Sequence, residues 1–226
     1  MKKLTVFLSV MLLGIMVSTF TSCLSDDDDD YKTYSQEEMR AFMRQIDGSY
    51  TGKLYFYNDT ISATSKVDSV AASARITASD STIILSDVSP RVFSKYFLSN
   101  VYDGATGKTV GQVNPQYENL SKALNELPNQ QLILRHVFYD VVESGLIYYG
   151  VYPMSKTFRL NYDGAEHTLT FNFFASLNSN GQYYNRRTAF SLYVYDISID
   201  NYSYRSYSIY SSEIMSNVMT FVGNAM

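Results

Sequence analysis

The chain has 226 residues, with 18 Lys and Arg against 22 Asp and Glu and a formal net charge of −4. Removing the two lysines and five aspartates that precede residue 31 leaves 16 basic and 17 acidic residues, so the rest of the chain is close to neutral. A near-neutral body lacks the basic footprint of nucleic-acid-binding proteins, and we expect no nucleic-acid partner. The single cysteine excludes an intramolecular disulfide. The absence of Trp beside 21 Tyr and 13 Phe favours tyrosine-rich strands over long helices.

The first 22 residues have the order of an export signal. Lys2 and Lys3 form a short basic start, and an apolar segment follows from Leu4 to Phe20. A single-pass membrane anchor over this segment is the alternative, although about seventeen residues is short for a bilayer core of roughly 30 Å.

Cys23 stands where a bacterial lipoprotein lipobox places its cysteine, after the small residues Thr21 and Ser22. The segment resembles that pattern, with Phe20 in place of the usual Leu and Ser22 in place of Gly or Ala. The resemblance implies cleavage before Cys23, which would be lipidated and would hold the protein to outer-membrane lipid.

An acidic run follows the cysteine almost at once: Ser25, Asp26, Asp27, Asp28, Asp29 and Asp30. It resembles the export signal of Bacteroidota surface lipoproteins, in which Ser and acids directly follow the lipidated Cys. The resemblance implies a position on the outer face of the outer membrane. Like charges also repel, which predicts an extended, solvated linker. We therefore expect a signal peptide over residues 1–22, an acidic tether over 23–34 and one β-rich domain over 35–226.

A short amphipathic helix is predicted directly after the tether. Ser35 and Glu38 have the spacing of a capping box, and Asp47-Gly48 predicts the end of the helix. Four apolar residues share one helical face: Met39, Phe42, Met43 and Ile46. We interpret this methionine-containing stripe as core rather than as a ligand site.

The first strand is predicted over Ser49–Asn58, with Tyr50, Leu54 and Phe56 on one face. The segment 46–56 resembles the opening of lipocalin-like bacterial lipoproteins, a short helix followed by Gly-x-aromatic at the start of strand one. Tyr50 stands where the lipocalin family normally has Trp. The resemblance implies a calycin-type barrel that carries a small apolar ligand.

The middle of the chain predicts a hairpin and a second helix. The hairpin covers Val67–Leu85 with its turn at residues 79–81, and a helical turn is expected behind Pro90. The second helix begins at Asn114-Pro115 and ends before Pro128. We expect a lobe boundary, if the domain has one, near residues 114–128.

The sequence of the C-terminal half predicts a hairpin with a defined strand register. The two-residue turn Asp163-Gly164 would pair Leu160 with His167 and Phe158 with Leu169, so that apolar residues lie side by side.

Three further strands complete the predicted sheet. Residues 132–142 and 146–152 are apolar at both parities, which predicts central strands, and residues 188–199 predict another. The pattern as a whole favours a mainly β fold with two or three short helices, whose large antiparallel sheet curls into a barrel-like form or a two-layer sandwich.

Few residues carry recognisable chemistry. His136 and His167 both lie within strand patterns, and nucleophile elbows, phosphate loops and dinucleotide fingerprints are absent from the sequence. We therefore expect no catalytic residue, no metal site and no cofactor. Asp196, Ser198 and Asp200 share a strand face that would suit Ca²⁺, although strand alternation explains the same residues.

The tyrosines of the C-terminal third are the predicted ligand contacts. Their apolar rings and polar tips suit stacking on a glycan or a partner protein, although strand propensity explains the same pattern. The candidates are Tyr183, Tyr184, Tyr193, Tyr195, Tyr202 and Tyr204.

The chain as a whole resembles the uncharacterised exported lipoproteins of Bacteroidota, a domain family without assigned activity. We therefore expect a cell-surface lipoprotein that serves as a non-catalytic binding or adhesion module. A calycin-like carrier of a small apolar ligand is the alternative, and an enzyme ranks third.

Overall fold

The computed structural model describes residues 33–57, 67–103, 108–142, 144–174, 180–207 and 217–226. The signal segment, Cys23 and the acidic run lie outside these residues, so their assignments stay predictions. Residues 36–226 form one compact unit. None of the described helices has the length and apolar character needed to cross a membrane.

Three α-helices and thirteen strands are present in the described residues. The helices are α1 (Gln36–Gln45), α2 (Arg91–Ser94) and α3 (Glu118–Asn125), with 3₁₀ turns at Lys95–Phe97 and Pro115–Tyr117. The strands are β1 (Gly48–Tyr57), β2 (Val67–Thr77), β3 (Thr82–Val88), β4 (Leu98–Asp103), β5 (Lys108–Val113), β6 (Gln130–Val141), β7 (Ile147–Pro153), β8 (Lys156–Tyr162), β9 (Ala165–Phe173), β10 (Asn180–Tyr184), β11 (Arg187–Ile199), β12 (Tyr202–Ser206) and β13 (Val218–Ala225).

Eight of these strands close into an antiparallel barrel in the order β1-β2-β3-β6-β7-β10-β11-β13, with β13 returning to β1. Each barrel strand neighbours the barrel strand that precedes it in the chain, which is an up-and-down topology. The predicted curled antiparallel sheet is therefore confirmed, and of the two expected forms it takes the barrel. The other strands are insertions: β4–β5, β8–β9 and β12.

Strand β11 belongs to two sheets. Its first half pairs with β13 and β10 in the barrel, and its second half pairs with β9 and β12. The pairing is irregular between Val194 and Asp196, where the strand leaves the barrel. Since β8 pairs with β9, a second sheet forms in the order β8-β9-β11-β12.

The barrel interior is filled by large side chains. Tyr50, Leu54 and Phe56 are 1%, 0% and 2% exposed, and the hydroxyl of Tyr50 donates to the carbonyl of Ile46 over 2.7 Å. Glycine at position 181 leaves room for the ring of Tyr149, because a Cβ atom there would lie 2.0 Å from that ring. The interior is therefore a packed core around which the strands close.

A second apolar layer lies between the second sheet and the inserted helices. Phe93 of α2 contacts Phe171 and Phe158, with ring centroids 4.8 Å and 5.1 Å apart. Leu120 and Leu124 of α3 are buried in the same cluster. The predicted hairpin register is confirmed, because Leu160 pairs with His167 and Phe158 with Leu169.

Strand β6 lies inside the sheet, between β3 and β7, so the prediction of a central strand is confirmed. Its apolar residues are not all buried, however, because Ile133, Val137 and Tyr139 are 47%, 54% and 54% exposed. They point outward from the barrel while Leu132, Leu134 and His136 point inward. The strand therefore has the alternating burial of a sheet with one solvated face.

Candidate functional site

A cleft of about 670 Å³ opens where α1 packs against the end of the barrel. It is formed by α1 and the residue Asp47 that follows it, by the turn between β2 and β3, and by the middle of β6. The lining residues are Gln36, Met39, Arg40, Met43, Arg44, Asp47, Ala78, Ser79, Ser81, His136, Val137 and Phe138. Its size lies within the roughly 300–1,000 Å³ that small-molecule sites occupy.

The apolar part of the cleft follows from the stripe on α1. Met43 and Ile46 are 7% and 0% exposed and anchor the helix to the barrel end. Phe42, at the next position of the stripe, stacks on Phe138 of β6 with ring centroids 5.5 Å apart. Met39 and Val137 stay partly exposed, so the cleft presents apolar surface to solvent.

The charged part of the cleft comes from the neighbouring face of α1. Gln36, Arg40 and Arg44 recur every four residues, which places them side by side along the helix. Both arginines are exposed, and neither forms an ion pair with another described residue. Among the lining residues that the structure describes, Asp47 is the one carboxylate; it accepts from the backbone N–H of Ala78 over 3.1 Å and lies 3.9 Å from Arg75. The cleft therefore carries an excess of positive charge.

His136 lies at the inner wall of the cleft and is 2% exposed. Its Nε2 lies 3.0 Å from the carbonyl oxygen of Thr77, which can only accept, so Nε2 carries the hydrogen. Nδ1 is then an acceptor, and it is buried without a partner in the described part of the chain. Burial lowers the pKa of His136, although the Thr77 carbonyl opposes the shift, and the imidazole is neutral at pH 7.

This geometry makes His136 a structural group. A general base must bring a free nitrogen within hydrogen-bond reach of its substrate. In His136 one nitrogen is committed to Thr77, and the other is closed off from solvent. The cleft can therefore bind through its arginines and apolar surface, but His136 offers no nitrogen to a bound molecule.

The second histidine belongs to a different constellation, on the second sheet. His167 Nδ1 lies 2.7 Å from Asp200 Oδ2, and its ring stacks on Tyr162 with centroids 4.0 Å apart. The other oxygen of Asp200 accepts from the backbone N–H of Thr168 over 2.8 Å. These bonds, the one from His167 first, lower the pKa of Asp200. The arrangement fixes the turn after β11, where Asp200 and Asn201 have φ values of 51° and 66°.

The oxygen cluster that would suit Ca²⁺ is already engaged with protein donors. Asp196 accepts from Ser203, Ser206 and Asn172, while Asp200 serves His167 and Thr168. Within the described ranges, no group of three His, Cys, Asp or Glu side chains could hold a metal ion.

The predicted tyrosine contacts are spread over both sheets. Tyr183 and Tyr184 lie on β10 of the barrel, the first edge-on to Tyr50 and the second 47% exposed. Tyr193 is half-buried on β11, and burial raises its pKa. In the described residues no ring contact joins any two of the six candidates, so they form no single platform.

The remaining three tyrosine candidates lie on the second sheet. Tyr195 is 42% exposed and meets Phe174 edge-on, and Tyr202 is 80% exposed. Tyr204 packs on Phe97 and Tyr117, with centroids 5.2 Å and 4.8 Å apart, so part of its ring belongs to the apolar layer. Their role as ligand contacts stays a prediction.

Sequence reasoning missed the cleft residues. The repeat of Gln36, Arg40 and Arg44 beside the methionine stripe was visible as a helical pattern. What the pattern could not show is that the barrel end would leave a gap under this face. That gap depends on residues of β6 and of the β2–β3 turn, far away in the sequence.

Comparison with known proteins places the chain in a family. No curated protein and no solved structure matches it. One family profile, described as a domain of unknown function (DUF4840), matches residues 45–199, from the end of α1 to the last residue of β11. Because this match covers well over half of the chain, the protein belongs to the DUF4840 family, and the expected membership in a domain family without assigned activity is confirmed.

Proposed function

We propose that this protein is a non-catalytic binding module, held at the cell surface by a lipidated Cys23, and that the cleft beside α1 is its ligand site. The observation that carries the proposal is the cleft itself. It is concave, about 670 Å³ in volume, and combines apolar surface with a few charged groups. These are the features of small-molecule sites in general.

Two features support binding rather than catalysis. His136 is neutral and has no nitrogen free for a substrate. His167 lies on the second sheet, where Asp200 takes one of its nitrogens and Tyr162 covers a ring face. The sequence adds no motif for a nucleophile.

The test of ligand binding uses the full-length protein in lipid nanodiscs with ¹³C-labelled methionine methyl groups. A screen of water-soluble small molecules should include one that shifts the resonances of Met39 and Met43, which line the cleft, and leaves exposed Met154 unchanged. Ser79→Trp should block the response because Ser79 lines the cleft, whereas Glu166→Trp at the exposed start of β9 should not. Hydrolase turnover that disappears when one carboxylate is replaced would contradict the proposal.

The proposed anchor has its own test. Cys23→Ala should abolish metabolic labelling with a lipid precursor and leave the precursor uncleaved, while Ser9→Ala should leave both unchanged. Lipid labelling that persists in Cys23→Ala would refute lipidation at this residue.

The proposed surface position rests on the acidic run, residues 26–30. Replacing these aspartates with alanine should leave the protein lipidated but protected from protease added to intact cells. Replacing them with glutamate, which keeps the charge, is the matched control and should preserve cleavage. If wild-type protein on intact cells already resists the protease, the proposed position is wrong.

A calycin-like carrier with its ligand inside the barrel is the second candidate. The closed, up-and-down barrel of eight strands favours it, since lipocalins share this architecture. Against it, Tyr50, Leu54 and Phe56 are already buried by protein contacts, so an interior ligand would require repacking. Met219, fully buried between Phe56 and Leu192 in the strand pairing, distinguishes the candidates: an interior ligand shifts its methyl resonance and a cleft ligand does not.

A further inference from the structure

We infer that the cleft takes an organic anion with a hydrocarbon body, whose carboxylate or phosphate group is held by Arg40 and Arg44. This inference rests on the proposed function, because it names the ligand class of the same cleft. Its support comes from charge, from hydrogen-bonding geometry and from the distribution of apolar surface.

The charge of the lining residues is the first step. The described lining residues include two arginines and one carboxylate. That carboxylate, Asp47, accepts from the backbone N–H of Ala78 and lies near Arg75. The acidic residues of the first turn of α1, Glu37 and Glu38, do not line the cleft. Among the described residues that line the cleft, a ligand with a negative group therefore meets two cationic side chains and no uncommitted anion.

The spacing of the arginines is the second step. Residues four apart on a helix have Cβ atoms roughly 5–6 Å apart, so both guanidinium groups can converge on one head group. Guanidinium is planar and presents paired N–H donors that match carboxylate and phosphate oxygens. Gln36, one turn before Arg40, adds a neutral amide at the same edge.

The apolar surface is the third step. Next to the arginines the cleft presents Met39, Met43, Val137 and Phe138. Val137 is 54% exposed, so an apolar ligand body would remove it from water. Methionine side chains are flexible and adapt to ligands of irregular shape. A small inorganic anion would leave this surface uncovered, which is why we assign a hydrocarbon body to the ligand.

The experiment titrates four probes into the full-length, methionine-labelled protein in nanodiscs: octanoate, octyl phosphate, the uncharged octanamide and inorganic phosphate. Octanoate and octyl phosphate should shift Met39 and Met43 in a saturable manner, and Met154 and Met219 should not respond. The double variant Arg40→Gln/Arg44→Gln should weaken octanoate binding about tenfold or more, as expected for loss of charged hydrogen bonds. Lys122→Gln/Arg159→Gln removes the same charge from exposed positions outside the cleft and should leave affinity unchanged.

Three outcomes would overturn the inference. If octanamide binds as tightly as octanoate and the arginine variant binds both normally, the anion is wrong, although the cleft remains a ligand site. If inorganic phosphate binds as tightly as octyl phosphate, the hydrocarbon body is wrong. If no probe shifts Met39 or Met43, the ligand class is wrong, and the wider screen described above decides separately whether the cleft binds any molecule.

Discussion

Leu169 shows how much one side chain contributes to the second sheet. It is 0% exposed and lies opposite Phe158 in the β8–β9 pairing. Leu169→Ala should lower the free energy of unfolding by about 2–5 kcal/mol, because it removes buried methyl groups and leaves a cavity. Chemical denaturation measures the change. Arg159→Ala, an exposed residue of the same hairpin, is the control, and equal losses in the two variants would contradict the assigned register.

His136 should make stability depend on pH. Burial lowers its pKa below the ordinary value of 6.5, so the unfolded chain binds the proton more readily than the folded protein. Above pH 6.5 His136 is neutral in both states, and the free energy of unfolding does not depend on its titration. As the pH drops below 6.5 toward the pKa of the folded state, the unfolded chain takes up a proton that the folded protein does not, so the free energy of unfolding falls. One extra proton bound by the unfolded state corresponds to a slope of about 1.4 kcal/mol per pH unit.

The measurement is urea denaturation at a series of pH values below 7. His136→Gln should remove the decrease in the free energy of unfolding that His136 causes below pH 6.5, while His167→Gln should retain that decrease. The lowered pKa of Asp200 acts in a separate window, since its contribution is lost only as the pH falls below about 3.8. If His136→Gln has the same pH dependence of stability as the wild-type protein between pH 7 and pH 5, His136 is not buried in its neutral form.

At the scale of elements, a glycine allows β10 to pair closely with β7. Gly181 pairs directly with Tyr149, and a Cβ atom at position 181 would lie 2.0 Å from the ring of that buried tyrosine. The ring cannot easily move aside, because its hydroxyl lies 2.5 Å from Oγ1 of Thr188. Gly181→Ala should therefore lower the melting temperature substantially. Tyr149→Leu should reduce the added cost of Gly181→Ala in a double-mutant cycle, and strictly additive effects would argue against this contact.

The local elements were predictable where two signals agreed. In the β8–β9 hairpin, the turn residues Asp163-Gly164 and the alternation of apolar residues both specify the same register, and the structure has it. The helix α1 was predictable for the same reason, since its apolar stripe ends directly before its stop signal. Such signals lie within about fifteen consecutive residues, so long-range contacts are not needed to interpret them.

Other elements depend on contacts that the sequence does not display. Strand β11 gives one continuous strand pattern, yet the irregularity near Val194 sends its two halves into different sheets. No strand was predicted over residues 98–103 and 108–113, which form the hairpin β4–β5. The cleft depends on how closely α1 packs against β6, so its arginines were visible but their shared surface was not.

At the scale of the whole molecule, two regions adjoin the barrel: the buried apolar layer of the second sheet and the cleft beside α1. The second sheet, α2 and α3 share one apolar layer of phenylalanines and leucines. The turn between β2 and β3 lies at the end of the barrel covered by α1, where the cleft is. Because α1 is only ten residues long and anchors mainly through Met43 and Ile46, it covers that end incompletely. The ligand site we propose is thus a consequence of a short helix over a closed barrel.

Closure of the barrel is itself testable, because the family match ends at residue 199 and β13 lies beyond it. Strand β13 pairs with β1 on one side and β11 on the other, with Phe221 opposite both Leu54 and Phe190. A chain truncated after Asn217 should therefore lose cooperative unfolding, since two strand edges and the packed interior would be exposed to water. Asn224→Ala, an exposed change within β13, should have little effect.

Restoring the missing strand tests the same point from the other direction. A synthetic peptide of residues 217–226 added to the truncated chain should recover part of the native methyl spectrum, because it supplies the strand between β1 and β11. A peptide with Phe221→Asp should fail, since it places a charge in the apolar interior. If the segment 45–199 alone unfolds cooperatively at the temperature of the full chain, the barrel does not need β13, and the matched family segment is a complete folding unit.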